Sequence, residues 1–180
     1  RLALLEAEEA EPRFMHLAER RVVAQSVEPG RATLTLDDGT ELSAPLLIGC
    51  DGRGSGTALR AGIKRTEWAY GQTSLVCALS VEKPHNGVAH QLFLPEGPLA
   101  ILPLTEQRVG VGWTEAAARA ATVSQMSEED YLAILRPRFG DFLGEIALAG
   151  QRFSYPLNLS LAQRFTSNRL DLVGDAAHGS

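Results

Sequence analysis

The stretch Leu170-Asp171-Leu172-Val173-Gly174-Asp175-Ala176-Ala177-His178-Gly179-Ser180 decides how the rest of the chain is read. Leu170, Leu172 and Val173 form a short apolar run that reads as a buried strand. Gly174 and Asp175 break it, and Ala176, Ala177 and His178 read as the start of a helix. A strand that ends in Gly-Asp at a helix start offers a carboxylate, unpaired backbone N–H groups and the positive end of a helix dipole. Those groups suit a polyhydroxylated chain joined to a diphosphate. The plainer alternative is that Asp175 only caps the helix. The stretch breaks off before a helix is complete. The chain also opens, without Met, on the helical Arg1-Leu2-Ala3-Leu4-Leu5. The sequence therefore reads as an internal piece of a longer enzyme.

A second junction of the same kind lies upstream. Leu46-Leu47-Ile48-Gly49-Cys50 is continuously apolar, the pattern of a strand buried on both faces. Asp51-Gly52-Arg53-Gly54-Ser55 comes next, placing a carboxylate at the strand end beside glycines that let a ligand approach the backbone closely. The alternative is a tight turn in which Ser55 or Thr57 caps a helix running to Ala61. Two such junctions in one short chain are able to serve a single anionic ligand.

Around them the periodicity predicts a helix over 1–10, strands from Val22 and over 31–36, a turn at Asp37-Asp38-Gly39 and a return strand over 41–44. From about residue 71 the texture changes to four closely spaced strands, over 73–81, 89–94, 99–104 and 108–114, an antiparallel meander. Helices are expected over 115–121, from an N-cap at Ser127 to a break or kink at Pro137, and over 140–149. Residues 152–161 read as extended. In Arg108-Val109-Gly110-Val111-Gly112-Trp113, alternation puts Val109, Val111 and Trp113 on one face, the core, and Gly110 and Gly112 on the other. The bare face leaves room for a packed helix, the preferred expectation, or for a substrate.

Composition excludes several classes. The 180 residues are 44% hydrophobic and 22% charged, with a net charge of -5 and acids and bases interspersed. That is ordinary for a globular protein and unsuited to tracking nucleic acid. Cys50 and Cys77 sit in apolar runs and read as buried free thiols. His16, His85, His90 and His178 lack the spacing of metal ligands, though His178 follows the Gly-Asp pair. No apolar run approaches a membrane span, no signal peptide is present, and no Ser or Cys sits in a nucleophile elbow. Arg136, Arg138 and Arg152 read as solvated faces.

Asp51-Gly52-x-x-Ser55, taken with Leu172-Val173-Gly174-Asp175-Ala176-Ala177-His178, resembles the two internal motifs of the flavin-dependent aromatic hydroxylases of the p-hydroxybenzoate hydroxylase type. Pro95-Glu96-Gly97-Pro98-Leu99-Ala100-Ile101-Leu102-Pro103-Leu104 and Tyr155-Pro156-Leu157-x-Leu159 resemble the ubiquinone-biosynthesis branch of that family. The resemblance implies an α/β fold with an α+β insertion. A partial FAD-binding, Rossmann-like domain (1–70 and 165–180) would hold an inserted antiparallel-sheet substrate domain (71–164). It implies FAD and NAD(P)H as cofactors, O2 as oxidant, and as substrate a small aromatic molecule, a polyprenylated phenol. Gly174 and Asp175 match residues that hold the ribityl and pyrophosphate part of FAD. Asp51 and Gly52 match a motif linked to the pyrophosphate and to NAD(P)H. No catalytic side chain is nominated, because the flavin carries the chemistry. The implied location is the cytoplasm, with peripheral association with the inner membrane or a biosynthetic complex. Two alternatives stay open: a related flavoprotein with another aromatic or isoprenoid substrate, and a non-catalytic lipid- or protein-binding module. The latter has no need of both Asp51 and Asp175.

The sequence departs from the family in three ways, one being that the segment following the Gly-Asp motif, which lines the flavin ring in the family, is not in this sequence. Ala58 stands where an arginine is usual, and the nearest base, Arg60, is about 200° further round a helix. The Gly-x-Gly-x-x-Gly motif that seats the FAD pyrophosphate is not in this sequence. The 180 residues alone are therefore not expected to bind FAD usefully.

Overall fold

A computed structural model describes residues 2–179. In chain order the elements are α1 (Leu2–Glu9), β1 (Val22–Glu28), β2 (Arg31–Leu36), β3 (Glu41–Ala44), β4 (Leu47–Gly49), α2 (Gly56–Arg60) and β5 (Arg65–Val81). Next come β6 (His90–Leu94), β7 (Gly97–Pro103), β8 (Arg108–Ala116), α3 (Ala117–Ser124), α4 (Glu128–Phe139), β9 (Ile146–Leu148) and β10 (Phe153–Ala162). The chain closes with β11 (Thr166–Ser167), β12 (Leu170–Leu172), a 3-10 turn (Gly174–Ala176) and β13 (His178–Gly179). It divides into two units, one up to Thr66 with Ser160–Gly179, the other Glu67–Leu159. The divisions fall inside β5 and β10, a few residues ahead of the boundaries that the resemblance implies.

In the first unit β1, β2 and β3 form an antiparallel meander. Gly39, at φ +85°, makes the turn into β3. Also in this unit, β12 lies parallel to β4 in the register Leu170↔Leu47 and Leu172↔Gly49. Parallel neighbours in this register end on the same side, so the turns after Gly49 and after Leu172 emerge together. Ala58, Ile63, Ala162, Leu170, Leu172, Ala176 and Ala177 form the core. Gly49 is needed where it stands, since a Cβ there would meet Thr57 Cγ2 at 2.8 Å and Leu172 Cδ2 at 3.0 Å.

The continuous apolar run over 46–50 does not become a strand buried on both faces. Among the described residues β4 pairs with β12 alone, and Ile48 is 53% exposed. Cys50 is likewise exposed, while Cys77 is buried, and both are free thiols. No α-helix comes after Leu172 among the described residues. Gly174–Ala176 is a single 3-10 turn, and His178 and Gly179 pair back onto Leu161 and Ser160.

The second unit is built on β5, β8, β7 and β6 in that order, with β9 also paired to β5. Period-2 alternation sends Leu75, Cys77, Leu79, Leu99, Ile101, Val109, Val111 and Trp113 into one core. Helices α3 and α4 cover that face with Ala120, Val123, Tyr131, Leu135 and Phe139. Each fully buried leucine or valine there contributes about 1.5–3 kcal/mol. Val109 and Trp113 have no solvent exposure, as the alternation requires. The glycine face is the opposite one, so the helices do not pack on Gly110 and Gly112 as expected. A Cβ built at Gly110 would have Leu102 and Leu104 as its nearest neighbours, at 3.8 Å or more, and one at Gly112 only Ser74 Oγ at 3.9 Å.

Three helix expectations are corrected. Glu115 and Ala116 extend β8, where Thr73 and Gln72 pair with them, and α3 starts only at Ala117. Ser127 caps α4 as expected, its hydroxyl accepting from the Asp130 N–H at 3.1 Å. Pro137 does not end the helix, which runs on to Phe139, because a proline this near the end removes one bond and the buried Phe139 favours continuation. Residues 140–149 are not helical: Gly140 and Gly144, at φ +81° and +72°, turn the chain into β9. No helix among the described residues is long and apolar enough to cross a membrane.

Candidate functional site

Asp51 leaves the end of β4 and turns back on its own loop. Its Oδ1 accepts from Ser55 Oγ at 2.6 Å and its Oδ2 from the Thr57 N–H at 2.9 Å. Ser55 Oγ in turn accepts from the Ala58 N–H at 3.0 Å, the N-cap of α2. Partial burial works to raise the Asp51 carboxyl, but the hydrogen bonds from Ser55 and Thr57 outweigh it and hold it below the usual carboxylate range. Asp51 therefore shapes the turn. The loop's ligand-facing capacity lies in its backbone: Gly52, at φ +81°, and Gly54 would have no heavy atom within 4 Å of an added Cβ.

Asp175 is built differently. It lies inside the 3-10 turn, and among the described residues no side chain caps that turn. The turn is held by a residue distant in sequence. Arg65 donates through Nη2 to the Asp175 carbonyl at 3.2 Å, through Nη1 to the Ala176 carbonyl, and through Nε to Ser160 Oγ at 2.9 Å. With the backbone pinned this way, the Asp175 carboxylate projects outward with 62% of its side chain exposed. Arg53 Nε lies 3.6 Å from its Oδ2. Gly174, at φ +61°, has open space where a Cβ would stand. The two junctions read from the sequence are thus brought together, with Arg53 between them.

Ala58 is 1% exposed in the core, so the family's usual arginine position points inward here. Arg60 faces β1, where Nη1 donates to the Val22 carbonyl at 3.4 Å. It also folds back along α2 until Nη1 stands 2.8 Å from a Cβ built at Gly56. Helical side chains lean toward the N-terminus, and Arg60 thereby lines the same open groove as Asp51, Gly54 and Gly56.

In the second unit the sequence concealed a polar network. Glu115, with no exposure, accepts from Trp113 Nε1 at 3.0 Å and from Arg138 Nη2 at 3.4 Å, and Arg119 Nε stands 3.4 Å from its other oxygen. The Arg138 guanidinium lies over the Trp113 ring at 4.8 Å. Arg152 lies over Tyr131 at 4.8 Å and donates to the Met126 carbonyl at 2.6 Å. Arg136 pairs with Glu145 and donates to the Ile146 carbonyl. Arg138 and Arg152 lock elements together and do not form solvated faces, whereas Arg136 is exposed, as expected. Burial raises both the Cys77 thiol and the Tyr131 hydroxyl, which stand 3.6 Å apart, so neither is poised as a nucleophile or base.

The outward carboxylate of Asp175 and the bare backbone at Gly52, Gly54 and Gly174 fit a ligand that carries hydroxyls and phosphates and approaches the main chain closely. FAD has both groups. Comparison with known proteins points to the same cofactor. The model of the FAD binding domain family matches residues 3–180. A ubiquinone hydroxylase, UbiL, of Rhodospirillum rubrum is 42% identical over 163 residues, 91% of this chain and 38% of that protein. The mitochondrial ubiquinone biosynthesis monooxygenase COQ6 of Rattus norvegicus is 34% identical, over 81% of this chain and 38% of its own length. The 3-demethoxyubiquinol 3-hydroxylase of Escherichia coli K12 is 31% identical, over 98% and 45%. The chain thus spans less than half of each of these relatives. Among solved structures, pqsL of Pseudomonas aeruginosa, a probable FAD-dependent monooxygenase, aligns at TM-score 0.79 with 19% identity, over 98% of this chain and 51% of its own. The flavin-dependent halogenase CmlS aligns at 0.76 with 20% identity, over 97% and 34%. These two share the fold. With an FAD binding domain matched across nearly its whole length, the chain belongs to that family.

Proposed function

We propose that this chain contributes the ribityl-binding turn and the substrate-bearing sheet of an FAD- and NAD(P)H-dependent hydroxylase. Its substrate is an aromatic ring, that of a polyprenylated phenol in ubiquinone biosynthesis. The observation that carries the proposal is Asp175, an outward carboxylate on a pinned turn beside the glycine turn after Asp51. The relatives' names supply the substrate class.

FAD, when bound, supplies the activation of O2 needed for ring hydroxylation. The chain's own residues bind and orient. Asp175 would accept hydrogen bonds from ribityl hydroxyls. The main chain at Gly174 and Gly52 would be open to the phosphates, because neither residue has a Cβ to hold them off. Asp51 fixes the loop that presents Gly52. The resemblance of Asp51-Gly52 to the family motif supports NAD(P)H as reductant. On the second unit, the bare face at Gly110 and Gly112 admits a flat ring against the backbone. Leu102, Leu104 and Phe93, all exposed, offer apolar surface to a polyprenyl chain. A substrate of that kind resides in lipid, which supports peripheral association with the membrane.

The test is direct. The full-length polypeptide carrying this sequence should purify with flavin absorbance. It should oxidise NAD(P)H in a manner stimulated by a prenylated phenol, and place one atom of labelled dioxygen on the ring. Flavin present without oxygen incorporation into any phenol would refute the hydroxylase reading.

A further inference from the structure

We infer that Arg53 is a positioning residue for Asp175, holding its carboxylate in one orientation for the hydroxyl-bearing chain of the flavin. The inference rests on the reading of Asp175 as the acceptor of those hydroxyls. An exposed aspartate on a short turn has several rotamers of similar energy, and a ligand that needs one of them must order it. Two features of the structure do that ordering in advance. Arg53 Nε stands 3.6 Å from Asp175 Oδ2. The stem of Arg53 is itself fixed, because it lies flat on Gly179. A Cβ added to Gly179 would meet Arg53 Nε at 2.8 Å, Cγ at 3.1 Å and Cδ at 3.3 Å. Gly179 is not at positive φ; it is bare because the arginine crosses it.

The Arg53 side chain ties the loop over 51–56 to the turn over 174–179, while Arg65 holds the same turn by its carbonyls. Arg65 fixes where the turn is. Arg53 fixes where the carboxylate points. The ion pair is partly exposed, 39% on the arginine and 62% on the aspartate, so its contribution to fold stability is small and salt screens it.

The experiment uses the full-length polypeptide, stripped of flavin, with FAD and ADP affinities measured by fluorescence titration and competition. ADP carries the diphosphate but not the ribityl chain. Arg53→Ala should weaken FAD about fivefold, leave ADP unchanged and leave the apo-protein melt unchanged. The FAD deficit should narrow as salt is raised. Gly179→Ala, which displaces the arginine without removing it, should show the same deficit and add nothing to Arg53→Ala. In the Asp175→Ala background Arg53→Ala should have no further effect. Parallel loss of ADP and FAD would mean that Arg53 holds the diphosphate directly and overturns the inference. Unchanged FAD affinity in Arg53→Ala and Gly179→Ala, with Asp175→Ala still weakened, would also overturn it and leave the reading of Asp175 standing. Full FAD affinity in Asp175→Ala would defeat that reading itself.

Discussion

Asp51 and Asp175 look alike in the sequence, each coming after a short apolar strand beside a glycine, yet their carboxylates do opposite things. The difference is set by the residues downstream of each. Ser55 and Thr57 lie where a helix turn brings their donors back to Asp51, whereas no described residue after Asp175 donates to its side chain. The Ser55 cap was legible from local spacing; the two arginines that hold the Asp175 turn were not. Arg65 lies 110 residues away in sequence, and no periodicity announces such a contact.

At this scale the Asp51 shift has a defined sign. Its folded pKa is lowered, so its contribution to stability is complete above the ordinary aspartate range and disappears as pH falls through the lowered folded value. Asp51→Asn, which turns an amide donor toward the Thr57 N–H or the Ser55 hydroxyl, should cost about 1 kcal/mol at neutral pH, discounted for partial exposure. Thermal melts of the two proteins should converge in acid. The cysteines give a second check. The exposed Cys50 should react quickly with a thiol reagent in the native protein, and the buried Cys77 only on unfolding. Cys50→Ser should abolish the fast phase.

At the scale of elements, what the sequence disclosed was alternation. Strands over 31–36 and 108–113, the Asp37-Asp38-Gly39 turn and the Ser127 cap all arise from local patterns. The departures share a cause: tertiary partners overrode local preference. Glu115 reads as a helical surface residue but is drawn into β8 by its pairing with Thr73 and by Trp113, Arg119 and Arg138. The run over 46–50 reads as doubly buried, yet among the described residues β4 has a neighbour on one edge only. Glu115→Ala would leave the Trp113 N–H and the Arg138 guanidinium without their acceptor. It should lower stability by about 3 kcal/mol, read as an earlier urea midpoint. Glu115→Gln, which keeps one acceptor oxygen, should lose less.

At the scale of the whole chain, both glycine turns were legible in the amino-acid sequence, because each motif is local. The joining of the turns was not. The parallel register of β4 and β12 and the reach of Arg53 bring together positions more than 100 residues apart in sequence. The 180 residues alone should elute without flavin from gel filtration. They offer Asp175 and a few backbone groups, and each missing charge-assisted bond to a cofactor costs about 1.5–3 kcal/mol. Stoichiometric flavin on this chain by itself would show that the described turns suffice.

The central claim is that Asp175 binds the cofactor and does not serve the fold. The measurement is flavin absorbance after gel filtration of the full-length polypeptide, paired with the melting temperature of its flavin-free form, for Asp175→Ala and Asp175→Asn. Since the 62%-exposed Asp175 side chain accepts no capping hydrogen bond among the described residues, both variants should melt like the parent when stripped. A neutral amide is a weaker acceptor than a carboxylate and orders less well beside Arg53, so both should lose FAD on dilution, alanine more than asparagine. Full flavin retention by both variants would contradict the account.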